Sequence, residues 1–312
     1  MHVDFLAATF GGTAGCDFAG VIEAVGSKVQ TAWKKGDRVA GMSRGAHSVQ
    51  HEYGAFGEYC LAKEHALAKL CSLFPNQRQP SHQMWHFTIP DTMSFEEVSK
   101  FGVSVATIRA GLFQGQPLPL PLSGKQANVP FLVYGASTAT GTLAVQYARL
   151  VGCTPVVATS SPVSFDLLKS LGADHVLDYN DPEVADKMKA LTNNSLTAAI
   201  SPESMGPKGG VVTYLLHTKH AREDVVNRYI LAYTGLGDEF TIGPWYFPAK
   251  PEDKQYTAAF WHLTKKLLAR EEIRPHPADV HEGGLEGIFD ELQLLREKRV
   301  SGKKLVYTID KA

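Results

Sequence analysis

The sequence predicts an α/β protein in which a doubly wound parallel sheet is joined to a smaller β domain. Three observations carry this expectation. The chain has 312 residues, enough for two domains at roughly 100–200 residues each. Residues 13–70 hold short β-prone runs punctuated by glycine. From about residue 90, apolar strand-like runs alternate with stretches at helical spacing.

Taken in order, Phe18-Ala19-Gly20-Val21-Ile22-Glu23-Ala24-Val25-Gly26 reads as a strand with a turn at its end. Lys35-Gly36-Asp37-Arg38-Val39-Ala40-Gly41 reads as a tight turn feeding a second strand, and Gly54-Ala55-Phe56-Gly57-Glu58-Tyr59-Cys60 as a third. A generic barrel or sandwich would account for this stretch alone. Ser94 stands three residues before Glu97, the spacing of a capping box, and opens a helix. Val129-Pro130-Phe131-Leu132-Val133-Tyr134-Gly135 suits a strand buried on both faces. Thr142–Leu150 follows at helical spacing and stops at Gly152. Pro155–Thr159 is the next strand, Phe165–Leu171 the next helix, and His175–Tyr179 a further strand. Strand, helix, strand, helix, strand is the pattern of a parallel sheet with right-handed crossovers.

Charge and composition exclude several classes. With 31 basic against 32 acidic side chains there is no basic footprint for nucleic acid or an anionic membrane. No apolar run approaches the ~20 residues that span a bilayer, and Met1-His2-Val3-Asp4 lacks the basic and apolar regions of a signal peptide. The four cysteines, Cys16, Cys60, Cys71 and Cys153, are scattered and imply neither a disulfide frame nor a zinc cluster. A reducing, cytoplasmic setting is the default expectation.

The chemistry is expected in the turn Gly135-Ala136-Ser137-Thr138-Ala139-Thr140-Gly141. A turn between a buried strand and a helix aims backbone N–H groups and the positive helix end at one place, which suits a pyrophosphate. The usual dinucleotide fingerprint has three glycines; here the middle position is Thr138, so a plain strand–helix turn is the alternative. Hydroxyls on Ser137, Thr138 and Thr140 could replace backbone contacts to phosphate. The next loop, Thr159-Ser160-Ser161-Pro162-Val163-Ser164, carries no carboxylate where a free ribose 2′-OH would need one. Its hydroxyls, with Lys169 one helical turn on, would accept a 2′-phosphate, so NADPH is the expected cofactor. An ordinary serine-rich loop capping a helix at Ser164 is the alternative.

These residues carry a resemblance. Gly15-Cys16-Asp17-Phe18-Ala19-Gly20-Val21-Ile22 resembles the Gly-His-Glu-x-x-Gly segment of medium-chain dehydrogenases/reductases in their zinc-free, quinone-reductase form. Lys35-Gly36-Asp37-Arg38-Val39, Gly54–Tyr59 and Leu171–Tyr179 are further shared landmarks. Val133–Thr140 and Val300-Ser301-Gly302-Lys303-Lys304-Leu305-Val306 are similar to the trans-acting enoyl reductases of fungal polyketide synthases, of which the lovastatin enoyl reductase is the familiar member. The resemblance spans about residues 12–70 and 88–312.

It implies a Rossmann-type sheet plus a GroES-like β-barrel domain, the latter over residues 1–95 and 268–312 and the NADPH-binding domain over 96–267. It implies hydride transfer from NADPH to an α,β-unsaturated polyketide thioester, held on the acyl carrier domain of a partner polyketide synthase or synthase–peptide synthetase hybrid, in secondary metabolism. Ser137, Thr138, Ala139 and Thr140 would bind pyrophosphate; Ser161, Pro162, Val163, Ser164 and Tyr179 would surround the 2′-phosphate. Thr107 would lie beside the nicotinamide, with Ile108, Arg109 and Ala110 near the substrate. Leu215, Leu216, Ser301 and Gly302 would complete the cofactor cleft, and Tyr233, Thr234, Gly235 and Leu236 the acyl pocket. A monomer is implied, and no residue stands out as the proton donor. Alternative readings are a zinc-independent quinone or alkenal oxidoreductase, or a catalytically impaired truncated homologue. Catalytic zinc is disfavoured because the twelve histidines form no close-spaced ligand set.

Three departures from the family pattern are expected to matter. The chain starts well into the β domain, so strands and one cofactor loop before Gly12 are missing. Residues 70–88 interrupt an otherwise continuous Ala68-Lys69…Ile89-Pro90 run and read as an insertion, a functional lid being the rival. Between the strand opening at Thr197–Ile200 and that at Val211–Leu215, two prolines and three glycines leave no room for a full crossover helix, so the sheet must be altered there.

Overall fold

Phe131-Leu132-Val133 is fully buried, and the chain leaves it through Gly135, whose φ of +69° only glycine adopts freely. A computed structural model describes residues 11–30, 32–47, 50–71, 88–90, 93–116, 118–196, 198–199, 206–215, 222–297 and 299–309. In chain order the strands are β1 (Asp17–Val21), β2 (Arg38–Met42), β3 (Leu67–Cys71), β4 (Thr88–Pro90), β5 (Phe131–Val133), β6 (Val156–Ser160) and β7 (His175–Asp178). They continue with β8 (Ala198–Ala199), β9 (Gly210–Tyr214), β10 (Val225–Tyr229), β11 (Phe240–Ile242), β12 (Trp245–Phe247), β13 (Ala278–His281) and β14 (Lys304–Tyr307). The helices are α1 (Phe95–Val98), α2 (Gly102–Ile108), α3 (Ala139–Leu150), α4 (Phe165–Ser170), α5 (Val184–Leu191), α6 (Pro251–Ala269) and α7 (Gly284–Arg296). A π-helical turn, Arg109–Gln114, continues α2 directly.

The chain divides into two compact units: Met1–Ala106, Tyr233–Val300 and Lys304–Ala312 make the first, Thr107–Ala232 and Ser301–Lys303 the second. This division by packing differs from the expected domain boundaries at residues 96–106 and 233–267, which lie in the first unit; there α6 packs on β3, β4 and the 3-10 turn Glu64–Ala66.

In the first unit, β1, β2 and β3 pair antiparallel and β4 joins β3 in parallel. The runs expected to be continuous, about Ala68 and Ile89, thus lie side by side, with Leu70 opposite Ile89. Residues 72–87, the bulk of the expected insertion, and residues 1–10 lie outside the described residues. Trp33, Val39 and Leu67 form a small core under β2, with Phe18, Ile22 and Val29 packed against it. The capping box forms: the Ser94 hydroxyl accepts the Glu97 N–H at 3.2 Å and the Glu97 carboxylate accepts the Ser94 N–H at 2.8 Å. Gly54–Cys60, expected as a strand, is instead a series of bends. Its amides serve separate contacts, Ala55 N–H to Gly15 O and Phe56 N–H to Ala14 O. The Thr13 carbonyl sits where a Gly54 side chain would be. Such single close approaches replace a ladder.

In the second unit all strand pairs are parallel, in two three-stranded sheets of order β5-β6-β7 and β10-β9-β8. β8 lies beside β5, and Leu132, Val157, Val212, Tyr214 and Val225 share one core with Met188 and Leu196. Each fully buried aliphatic side chain there contributes roughly 1.5–3 kcal/mol of transfer free energy. Read across, the order is 3-2-1-4-5-6, the doubly wound pattern that the sequence predicts. In the fourth strand, β8, Ala198 pairs with Val211 and Ala199 with Val212, and the expected alteration falls largely outside the described residues. Residues 200–205 lie outside the described residues, and 206–209 form a turn into β9.

Candidate functional site

The turn from β5 into α3 is built by three side-chain decisions. The Thr159 hydroxyl oxygen accepts the Gly135 N–H at 3.1 Å while the Thr159 carbonyl accepts the Ala136 N–H at 2.8 Å. Thr138 is the N-cap of α3: its hydroxyl oxygen accepts the Gly141 N–H at 3.0 Å and its O–H donates to the Gly135 carbonyl at 3.1 Å. Gly141 is required by packing, since a Cβ there would lie 2.6 Å from Ala136 Cα. The Thr138 hydroxyl is therefore engaged in shaping the turn. The helix end itself, with N–H groups that have no partner inside α3, is what faces outward.

A cleft opens at this turn. Its walls come from α2 (Thr107, Ile108), the π turn (Gly111, Leu112), the start of α3 (Thr140, Gly141) and the end of β9 (Thr213, Leu215). It thus lies at the carboxyl ends of β5 and β9, on either side of the point where strand order reverses, which is where doubly wound sheets bind nucleotides. A glycine turn, a capped helix end and a mostly apolar slot are the features a dinucleotide needs, so the residues present fit one. These residues would hold its pyrophosphate at the α3 terminus and its nicotinamide half along Thr107 and Leu215.

Of the residues singled out from sequence, Thr107, Ile108, Thr138, Thr140 and Leu215 meet in this cleft. Ser137 and Ala139 belong to the turn without lining the cleft. Arg109 and Ala110 are buried elsewhere in the π turn; Arg109 is fully buried and donates to the Gln114 side chain, a bond spanning the five-residue reach of a π helix. Ser161–Ser164 forms a separate patch with Ser301 and Gly302: a Cβ at Gly302 would lie 3.1 Å from Ser164 Oγ. Ser164 is buried, Val163 is exposed, and Lys169 and Tyr179 are exposed. Asp178, opposite Ser160 in the register, spends its carboxylate on the Asn180 N–H at 2.9 Å. Leu216 lies outside the described residues.

Sequence reasoning missed Gln116 and Thr213. The Gln116 amide donates to Thr213 Oγ1 at 3.0 Å and to the Val211 carbonyl at 3.1 Å, tying the π turn to β9. Thr213 was findable as the single polar residue in Val211-Val212-Thr213-Tyr214-Leu215.

Tyr233–Leu236 belongs to the first unit, in a 3-10 turn Ala232–Leu236. There Tyr233 OH lies 3.1 Å from Cys16 Sγ, and Arg44 is stacked with its guanidinium carbon 4.7 Å from the Phe240 ring and 5.7 Å from that of Tyr233. Burial raises the Cys16 thiol and holds the Tyr233 phenol well above its usual value. His65 bonds the Leu236 carbonyl at 3.1 Å through Nε2 and is pushed down to about 4, by burial first and then by the Lys254 charge. Asp17 accepts the Val103 N–H and pairs with Lys304. Among the described residues, no three His, Cys, Asp or Glu side chains gather as a metal site would need, and no helix is long and apolar enough to cross a membrane.

Fold and cleft together define a nucleotide-dependent reductase of the two-domain kind. Residues 2–72 match the alcohol dehydrogenase GroES-like domain and residues 139–219 the zinc-binding dehydrogenase family. The chain is 42% identical to the trans-enoyl reductase ACTTS2 of Alternaria alternata, covering 97% of this chain and 85% of that protein. It is 36% identical to the trans-enoyl reductase resD of Aspergillus sclerotiorum, over 95% and 85% of the two chains. Among solved structures, the CurF ER cyclopropanase from the curacin A biosynthetic pathway superposes with a TM-score of 0.67 at 21% identity, covering 96% of this chain and 79% of that one. A Pseudomonas syringae quinone oxidoreductase gives 0.67 at 21%, covering 94% and 81%. The chain belongs to the trans-enoyl reductase family of the medium-chain dehydrogenase/reductase superfamily. It is accordingly an oxidoreductase with a nicotinamide cofactor.

Proposed function

We propose that the protein uses NADPH to reduce the α,β double bond of a polyketide enoyl thioester presented by the acyl carrier domain of a partner polyketide synthase. The observation that carries the cofactor choice is the patch at the end of β6. Ser161–Ser164 and Lys169 offer hydroxyls and a cation, and Asp178, the carboxylate opposite Ser160, is occupied by Asn180. A 2′-phosphate gains there what a 2′-OH does not. When bound, the reduced nicotinamide supplies hydride. The chain's own residues do the rest: the α3 terminus orients the pyrophosphate, while Thr107, Ile108, Leu112 and Leu215 line a mainly apolar slot that excludes water around the reactive ring. The names of the relatives, trans-enoyl reductases, support the enoyl substrate.

The test is direct. Purified protein is titrated with NADPH and NADH, then offered a carrier-bound enoyl thioester and a free quinone. Tighter binding of NADPH by about tenfold or more, with turnover of the carrier-bound substrate, is the expected result. Equal affinity for the two dinucleotides, or turnover of the quinone alone, refutes the proposal.

A further inference from the structure

Gln116 brings an unpaired acceptor to the wall of the cleft. It stands just past the π turn, and every residue that lines the cleft belongs to the second unit. The residue is 5% exposed. Its amide nitrogen donates to the Val211 carbonyl at 3.1 Å and to Thr213 Oγ1 at 3.0 Å, which uses both of its hydrogens. A carbonyl can only accept, so the Val211 contact fixes which end of the amide is nitrogen. The other end, Oε1, is buried and takes no hydrogen bond from any of the described residues. Of the buried side-chain polar atoms without a partner among the described residues, it is the one carried by the cleft wall.

A buried acceptor left unpaired is costly, and only a donor can complete it. Ile108, Leu112 and Leu215 make the same wall mainly apolar. The ligand that suits this wall has an apolar ring bearing one N–H donor group. A nicotinamide ring is such a ligand, because its carboxamide amine is the N–H donor it carries. We propose that Gln116 Oε1 accepts a hydrogen bond from the carboxamide amine of the nicotinamide, with Thr213 and the Val211 carbonyl holding the Gln116 amide in place for it. This rests on a nicotinamide dinucleotide occupying the cleft, and adds the side chain that recognises its reactive end. Gln116 lies beside β9, across the cleft from the α3 terminus that faces the pyrophosphate, so the two ends of the cofactor are recognised by different chemistry: backbone N–H groups for the phosphates, a side-chain acceptor for the amide.

The experiment measures dissociation constants for whichever of NADP+ and NAD+ binds more tightly, and for two analogues of it altered only at this group. The 3-acetylpyridine analogue has a methyl group in place of the amine; the thionicotinamide analogue keeps the amine. Wild type is expected to bind the acetylpyridine analogue about tenfold more weakly than the parent dinucleotide, and the thionicotinamide analogue within about threefold of it. Gln116→Met keeps the length of the side chain and removes the acceptor, and the ratio between parent and acetylpyridine analogue should fall to about one. Gln116→Met also removes the tie to β9, so the three ligands on wild-type protein form a test that needs no folded variant. Equal affinity of wild type for parent and acetylpyridine analogue overturns the inference and leaves the cofactor reading standing. Equal weakening of both analogues overturns it too, since the site would then be sensing bulk and not the N–H. A tenfold ratio that persists in Gln116→Met assigns the carboxamide to another group. A wild-type protein that binds neither dinucleotide overturns the cofactor reading, and this inference with it.

Discussion

Thr159 holds Gly135 from both sides of its backbone: the hydroxyl oxygen accepts the Gly135 N–H at 3.1 Å, and the carbonyl of the same residue accepts the N–H of Ala136 at 2.8 Å. The phosphate-facing turn after β5 is therefore fixed by the end of β6. Thr159→Val keeps shape and removes the acceptor, leaving a half-buried N–H unpaired. Stability should fall by about 1–2 kcal/mol and dinucleotide affinity by about tenfold, read by denaturant melts and by fluorescence titration. An unchanged Kd would show that the turn holds without this bond.

The patch after β6 should decide between dinucleotides. Ser161→Asp brings a carboxylate to the place where a 2′-phosphate would sit. NADPH affinity is expected to fall by about tenfold or more while NADH affinity stays level or rises. Titration of both cofactors against the variant checks this, and a parallel loss of both would move the 2′-phosphate site elsewhere.

Asp17 joins three segments, accepting the Val103 N–H at the start of α2 and pairing with Lys304 at the start of β14. Its side chain is only 14% exposed. Asp17→Ala leaves the half-buried Lys304 ammonium without its carboxylate and should cost about 2–4 kcal/mol. Urea unfolding of the variant gives the number directly. A loss under about 0.5 kcal/mol would place Asp17 among ordinary surface ion pairs.

His65 makes the first unit sensitive to acid. Its folded value of about 4 lies below the 6.5 of a free histidine, so the unfolded chain takes up its proton first as pH falls. The contribution is complete above pH 6.5 and is lost as pH drops towards 4. The loss is up to about 3 kcal/mol, and it falls on the turn that carries Tyr233. Melts at pH 7 and pH 4.5 should differ less in His65→Gln than in wild type; an equal difference assigns the acid sensitivity to other groups.

Much of the second unit was legible because burial there is local. The Phe131–Val133 strand, the helix after it, the β6 strand and α4 each satisfy their own periodicity and their own stop signal, so composition along the chain is enough. The glycines at 135 and 141 were legible as a turn for the same reason. Gly54–Cys60 was misread because alternation and aromatic content say only that a segment can be extended. Whether it joins a ladder depends on a neighbour at the right distance, and here Ala14 and Gly15 meet its amides one at a time.

By itself the sequence determined the order of strands and helices, the glycine turn, and the lack of an acid in the loop after β6, all set by neighbours a few residues apart. Tertiary structure alone decided that Gln116, just past the π turn, is tied to Val211 and Thr213 of β9. It also set Arg44 against Tyr233, 189 positions along the chain, with no carboxylate among the described residues to pair it. Contacts between distant positions are chosen by packing, and no local pattern in the chain records them.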